Sequence, residues 1–190
     1  VGLEVADRYR ELVSAFRGPP AIGEALRRAA VDTGYTHFLG RFINGQVAIT
    51  ASTEGPRTPY IEDLVPGFDD GAHATALGKA LLATLTPEQR ARYLREFGMR
   101  PFTPATLTTP DALEADVAAG DRRGMQIDLG QFRQGLACAA VVVTPDKDIE
   151  RRLVIACALP AAEMMTSARV VRAKLLVTAR GVAEAMATEA

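Results

Sequence analysis

The sequence predicts an α+β domain, with an antiparallel or mixed sheet flanked by helices. Two runs rich in branched and aromatic residues, 35–43 and 46–53, flank Asn44-Gly45. That dipeptide favours a turn with two positive φ angles, whose twist matches paired strands. Two further apolar runs, 136–143 and 152–159, flank Pro145-Asp146-Lys147-Asp148. Helical patterns do not alternate strictly with these strands, which argues against a doubly wound nucleotide fold.

The elements follow in order. Residues 4–16 carry Val5, Tyr9, Leu12, Val13 and Phe16 at helical spacing, and Gly18-Pro19-Pro20 stops that helix. A second helix is expected over 20–32, ending at Gly34 in the position after a C-cap. After the first hairpin and the turn-rich stretch 54–59, a short strand is expected over 60–65, closed by Pro66-Gly67. Residues 73–85 form a compact apolar helix. Thr86-Pro87-Glu88-Gln89 then reads as a capping box with Pro at the first helical position. Thr109-Pro110-Asp111 opens the next helix in the same way, Gly124 ends it, and 125–129 reads as a strand. If the last two strands pair about their turn, Cys138 and Cys157 lie opposite each other to within one residue of register. Pro160 ends the sheet, and a long helix is expected over 167–188, with Val170, Val171, Lys174, Leu175 and Val182 near its buried stripe.

Composition bounds the function. The 190 residues are 48% apolar and 24% charged, and a chain of this length buries roughly 70% of its unfolded surface without staples or metals. With 22 basic and 23 acidic residues the net charge is −1, which argues against this chain itself binding nucleic acid. A neutral small-molecule pocket, or a DNA-binding domain elsewhere, fits that balance. The longest apolar runs, such as 137–143, fall far short of the ~20 residues needed to cross a bilayer, so no membrane partner is expected. The start shows no charged region followed by an apolar stretch, hence no visible signal peptide. Two cysteines fit a reducing compartment, and the cytoplasm is expected. The chain opens on Val1, as a processed product or a piece of something longer would.

Enzyme templates fail: phosphate-loop, dinucleotide, serine-elbow and zinc-protease motifs are all missing from the sequence. His37 and His73 sit on different elements, and a hydrogen bond at a helix start accounts for His73 better than metal ligation does. Cys138 and Cys157 stand open as nucleophile, redox pair or packing; their alanine neighbours supply no cation, which favours packing or a pocket wall. A cross-strand disulfide is geometrically conceivable but disfavoured in the cytoplasm. Asp128, in the strand 125–129, needs a partner or ligand if it faces the apolar side and is simply solvated if it faces the other. Small residues at Gly135, Ala137, Ala139, Ala156 and Ala158 either leave room for a ligand above the sheet or let a helix approach it. Free N–H groups at the start of the helix near His73 would suit a carboxylate.

Several segments together resemble one family. The helix His73-Ala74-Thr75-Ala76-Leu77-Gly78-Lys79-Ala80-Leu81-Leu82-Ala83 resembles the best-kept segment of the effector-binding domain of IclR-type transcriptional regulators. Residues 124–138 resemble that family's Gly-x-x-x-Asp-x-x-x-aromatic-x-x-Gly-x-x-Cys segment, with Asp128, Phe132, Gly135 and Cys138 in place. Thr33-Gly34, Asn44-Gly45 and Pro160 fit as well, and the resemblance runs from about Ala21 to the C-terminus.

The resemblance implies a GAF/profilin-like fold, a curved antiparallel sheet of about six strands with a ligand cavity on it. It implies homodimers or homotetramers, and DNA bound through an N-terminal winged helix-turn-helix that this chain lacks. Residues 1–19 would then be a residual linker helix and 20–190 the effector-binding domain. Carried over by position, the effector site falls on Ala76, Leu77, Asp128, Cys138, Ala156 and Ala158, with no catalytic residue, metal or cofactor. Members that bind small oxo-acids place serines where this chain has Ala156 and Ala158, and each lost hydrogen bond costs such an acid roughly 0.5–1.5 kcal/mol. The added apolar wall favours a larger, partly aromatic or aliphatic effector at ~25 cal/mol per Å² buried, so a carboxylic acid or a mixed polar and apolar metabolite is expected rather than glyoxylate or pyruvate. Leu77, larger than the residue some members carry, points the same way or narrows the pocket. Asp69 and Asp70 stand where the family is often basic, either as an acidic rim that repels polyanions or as a solvated turn. Two other classes remain, a GAF-like sensor module of another signalling protein and a small enzyme using Cys138 with Asp128 or His73.

Overall fold

A computed structural model describes residues 20–58 and 71–187. Helix α1 (Pro20–Thr33) leads into strands β1 (Thr36–Ile43) and β2 (Gln46–Thr53). Helices α2 (Ala76–Ala83), α3 (Pro87–Phe97) and α4 (Pro110–Arg123) follow. Then come β3 (Gln126–Leu129), β4 (Leu136–Thr144), a short 3-10 turn (Ile149–Arg151), β5 (Leu153–Pro160) and the long helix α5 (Ala161–Ala187). The expected helix at 4–16, the expected strand at 60–65 and the acidic pair Asp69-Asp70 lie outside the described residues.

The five described strands form one antiparallel sheet in the order β2-β1-β5-β4-β3. The class is the expected α+β, and the sixth strand of the expected six or so has its candidate in the stretch at 60–65, outside the described residues. The first hairpin closes as its dipeptide dictates, with φ of 52° at Asn44 and 79° at Gly45. The capping box forms in full: Thr86 Oγ1 accepts from the Gln89 N–H while the Gln89 side chain accepts from the Thr86 N–H.

Helices cover both faces of the sheet. On one, α1 and α5 pack through Ile22, Leu26, Val171, Leu175 and Val182 onto Leu39, Ile155 and Leu159. On the other, α2, α3 and α4 bring Leu77, Leu81, Leu82, Tyr93 and Leu113 onto Phe38, Phe42, Cys138, Ala140, Val154 and Ala156. Arg90 locks the second layer: it forks onto Glu114 of α4 at 2.6 and 2.7 Å and donates to the Leu82 and Leu85 carbonyls.

Three expectations need correction. Helix α2 begins at Ala76 rather than near His73, because Thr75 is its N-cap and accepts from the Gly78 N–H. Helix α5 begins at Ala161, six residues before the expected start: the Ala161 N–H bonds the Gly135 carbonyl and Glu163 sits favourably in the first turn. Its buried stripe is Met164, Val171, Leu175, Ala179 and Val182, while Val170 is exposed and Lys174 turns outward to pair with Asp32. Among the described residues no helix is long and apolar enough to cross a membrane.

Candidate functional site

Sheet register decides which side chains meet. Asp128 pairs with Cys138, Cys138 with Ala158, and Ala158 with Thr36; one step along the sheet, Ala140 pairs with Ala156 and Ala156 with Phe38. These rows lie beneath α2. Ala139 pairs with Cys157 and Cys157 with His37, on the face covered by α1 and α5. Of the small residues expected to make room together, Ala156 and Ala158 therefore face α2, while Ala137 and Ala139 face the other layer. The two cysteines are one residue out of register and point to opposite faces, so no disulfide can join them.

Helix α2 lies close on the sheet because β1 carries Gly40 beneath it. A Cβ there would stand 2.5 Å from Leu77 Cδ2. The Leu77 isobutyl group thus occupies the space that a larger residue on β1 would fill. Beside it, Thr75, Leu77, Phe38, Val47, Ile49, Cys138 and Ala156 line an apolar hollow of about 20 Å³, room for a single water. Leu77, Cys138 and Ala156 are thus brought together. Ala76, Ala158 and Asp128 are buried nearby but do not line the hollow. Sequence reasoning missed Phe38, Val47, Ile49 and Thr75; alternation along the first hairpin would have put Val47 and Ile49 on one face.

Asp128 faces inward and is 1% exposed. Its Oδ1 accepts from the Gln131 N–H at 2.6 Å, and the Phe132 N–H also donates to the carboxylate. The side chain thereby folds the loop after β3 back upon itself. Burial outweighs these bonds and the nearby Lys79 cation, and pushes the carboxyl up to about 7.

Lys79 lies within the helix expected from the sequence, with no role assigned to it there. It sits on the buried side of α2, and its Nζ donates to Asp116 Oδ2 at 2.5 Å, the Ile127 carbonyl at 2.5 Å and Gln131 Oε1 at 2.6 Å. Burial lowers its pKa, against the opposing pull of Asp116. The lysine ties α2, α4 and the Asp128 loop into one polar knot.

His73 Nε2 bonds the Arg100 carbonyl at 2.9 Å, and its ring lies 5.8 Å from that of Phe102, the structural role expected of it. The N–H groups at the start of α2 are partly spent, since Thr75 takes that of Gly78. Burial raises both thiols, Cys138 well above its usual range and Cys157 to about 12. Burial thus disfavours the thiolate form of both, as expected of cysteines that serve as packing or a pocket wall. Among the described residues no group of three or more His, Cys, Asp or Glu could hold a metal ion.

Residues 24–188 match the family described as "Bacterial transcriptional regulator IclR C-terminal". The chain is 35% identical over 118 residues to the HTH-type transcriptional regulator BhcR of Paracoccus denitrificans, covering 62% of this chain and 42% of that protein. It is 30% identical over 144 residues to the probable transcriptional regulator SauR of Cupriavidus necator, covering 74% of this chain and 57% of that protein. The chain therefore spans only about half the length of these relatives. Among solved structures, the IclR of Thermotoga maritima superposes with a TM-score of 0.73 at 21% identity, covering 93% of this chain and 74% of that one. An IclR homologue from Microbacterium hydrocarbonoxydans, described as complexed with 4-hydroxybenzoate, superposes with a TM-score of 0.76 at 18% identity, covering 93% and 70%.

Proposed function

The chain belongs to the IclR family of transcriptional regulators, as a C-terminal domain and not an enzyme, and we propose that it is the small-molecule-sensing and oligomerising half of such a regulator. The effector binds between α2 and the sheet, at Leu77, Cys138 and Ala156, with Ala76, Ala158 and Asp128 in the surrounding shell. DNA is bound by an N-terminal winged helix-turn-helix outside this chain, in the cytoplasm. The observation that carries this reading is the hollow itself: an apolar gap roofed by one leucine and floored by an alanine and a cysteine.

At about 20 Å³ the gap cannot hold an organic acid, so binding must move Leu77 away from Gly40 and lift the start of α2. An effector that favours the lifted arrangement shifts the population toward it by its differential affinity and by no more. The exposed Val31 on α1 and Val177 on α5 support a self-association surface through which that shift could reach the partner subunit.

Effector chemistry follows from the walls. Alanines at 156 and 158 offer no hydroxyl, and Phe38, Val47 and Ile49 add apolar area, which supports a carboxylic acid with an aromatic or aliphatic body. The Microbacterium homologue is described as complexed with 4-hydroxybenzoate, a small aromatic acid. A thermal-shift screen of carboxylic acids, lactones and aromatic metabolites tests this reading, because a ligand bound only by the folded state raises apparent stability. An acid with an apolar body should stabilise the chain, and Ala156→Phe, which fills the gap, should abolish the effect. Micromolar binding of glyoxylate or pyruvate would overturn the effector assignment.

A further inference from the structure

The opposite face of the sheet carries a larger cavity of about 290 Å³ between the start of β1 and helix α5. His37, Cys157, Val170, Val171, Leu175 and Ser167 are among its lining residues. It is separate from the hollow under α2, because His37 and Cys157 face away from Phe38 and Ala156.

His37 supplies the unmet chemistry. The residue is 1% exposed, and its Nδ1 lies 2.9 Å from the Tyr35 carbonyl, which can only accept. Nδ1 therefore carries the proton. Burial lowers the ring's pKa, so Nε2 is a bare acceptor, and it has no hydrogen-bond partner among the described residues.

The charges around the cavity are already matched. Arg57 Nη2 and the Tyr35 hydroxyl both donate to Glu163 Oε2 at 2.6 Å, and Arg57 also lies over the Tyr35 ring. Lys174 pairs with Asp32. An ionised ligand would have to break one of these pairs. A purely apolar one would cover Nε2 without pairing it, at the cost of desolvating that acceptor.

We propose that this cavity is a second ligand site, which takes a small uncharged molecule bearing one hydroxyl on an apolar body. The hydroxyl donates to His37 Nε2, and the body lies against Val170, Val171 and Leu175. The cavity is near the lower end of ligand-pocket volumes, the size of a single-ring compound.

Phenol and anisole separate the hydrogen bond from the apolar contact, since the two differ in whether the oxygen can donate. Each is titrated into the 190-residue chain while the imidazole nitrogens are followed by 15N NMR. Phenol should move the His37 Nε2 resonance saturably, and anisole should leave it in place. His37→Phe should weaken phenol binding about fivefold to tenfold, the worth of one hydrogen bond. Should that variant fail to fold, the comparison of the two compounds in the unaltered chain decides. Equal binding of phenol and anisole overturns the proposal. So does a phenol response confined to Leu77 and Ala156, or the lack of any saturable response at His37.

Discussion

Replacing Asp128 by asparagine should flatten the pH dependence of stability in a direction opposite to most buried carboxylates. The side chain is 1% exposed, and its pKa rises from an ordinary 3.8 to about 7 on folding. Between those values the folded chain keeps a proton that the unfolded chain has released, so stability falls as pH rises. At about 1.4 kcal/mol for each pH unit, the gap amounts to roughly 4 kcal/mol, absent below the unfolded value and fully expressed above pH 7. The amide introduced by Asp128→Asn would keep the acceptor that holds the Gln131 N–H and would carry no charge at any pH. His37, whose pKa is lowered on folding, acts in the opposite sense below its ordinary value and is common to both proteins. Urea denaturation at pH 5, 6, 7 and 8, read as the difference between variant and parent, isolates the carboxyl. The variant should already be more stable than the parent by about 1.5 kcal/mol near pH 5, and by roughly 4 kcal/mol at pH 8. A variant that loses stability relative to the parent as pH rises would refute the burial argument and place a stabilised carboxylate beside Lys79.

Other outcomes follow from the same packing. Lys79→Met strands Asp116, Gln131 and the Ile127 carbonyl; with Asp116 still partly solvated, the loss should be about 3 kcal/mol, measured by chemical denaturation. Leu77→Ala should cost about 3–5 kcal/mol and yet tighten the apolar acid that scores best in the thermal-shift screen, because the group that must move is already gone; calorimetric titration reads both signs. Thr86→Ala removes one half of the capping box and should cost about 1 kcal/mol, visible as a lower urea midpoint with an unchanged slope.

Local chemistry made much of the fold legible. Asn44-Gly45, Thr86 with Gln89, and Thr109-Pro110 each dictate a backbone geometry within four residues, and each forms as read. What depended on parity or on tertiary partners was not legible. A single residue of register separates Cys138 beneath α2 from Cys157 beneath α5, and that one step also splits the alanines between two faces. Val170 and Lys174 fit an apolar stripe by spacing, but α5 turns Val171 and Leu175 into the core it shares with α1 and the sheet and leaves the first two outside. Lys79 lies in an apolar helix where nothing nearby in sequence announces Asp116 or Gln131, its partners from α4 and the loop after β3. Asp128 was placed inward as one of two options; the loop that satisfies it could not be read from its strand.

Nuclear Overhauser contacts between a bound acid and the side-chain methyls of the chain test the central claim most directly. With the tightest acid from the screen, cross-peaks should reach the Leu77 δ-methyls and the Ala156 β-methyl and vanish in Ala156→Phe. Cross-peaks to Val170, Val171 and Leu175 alone would place the acid on the other face of the sheet, and the effector site proposed beneath α2 would be wrong.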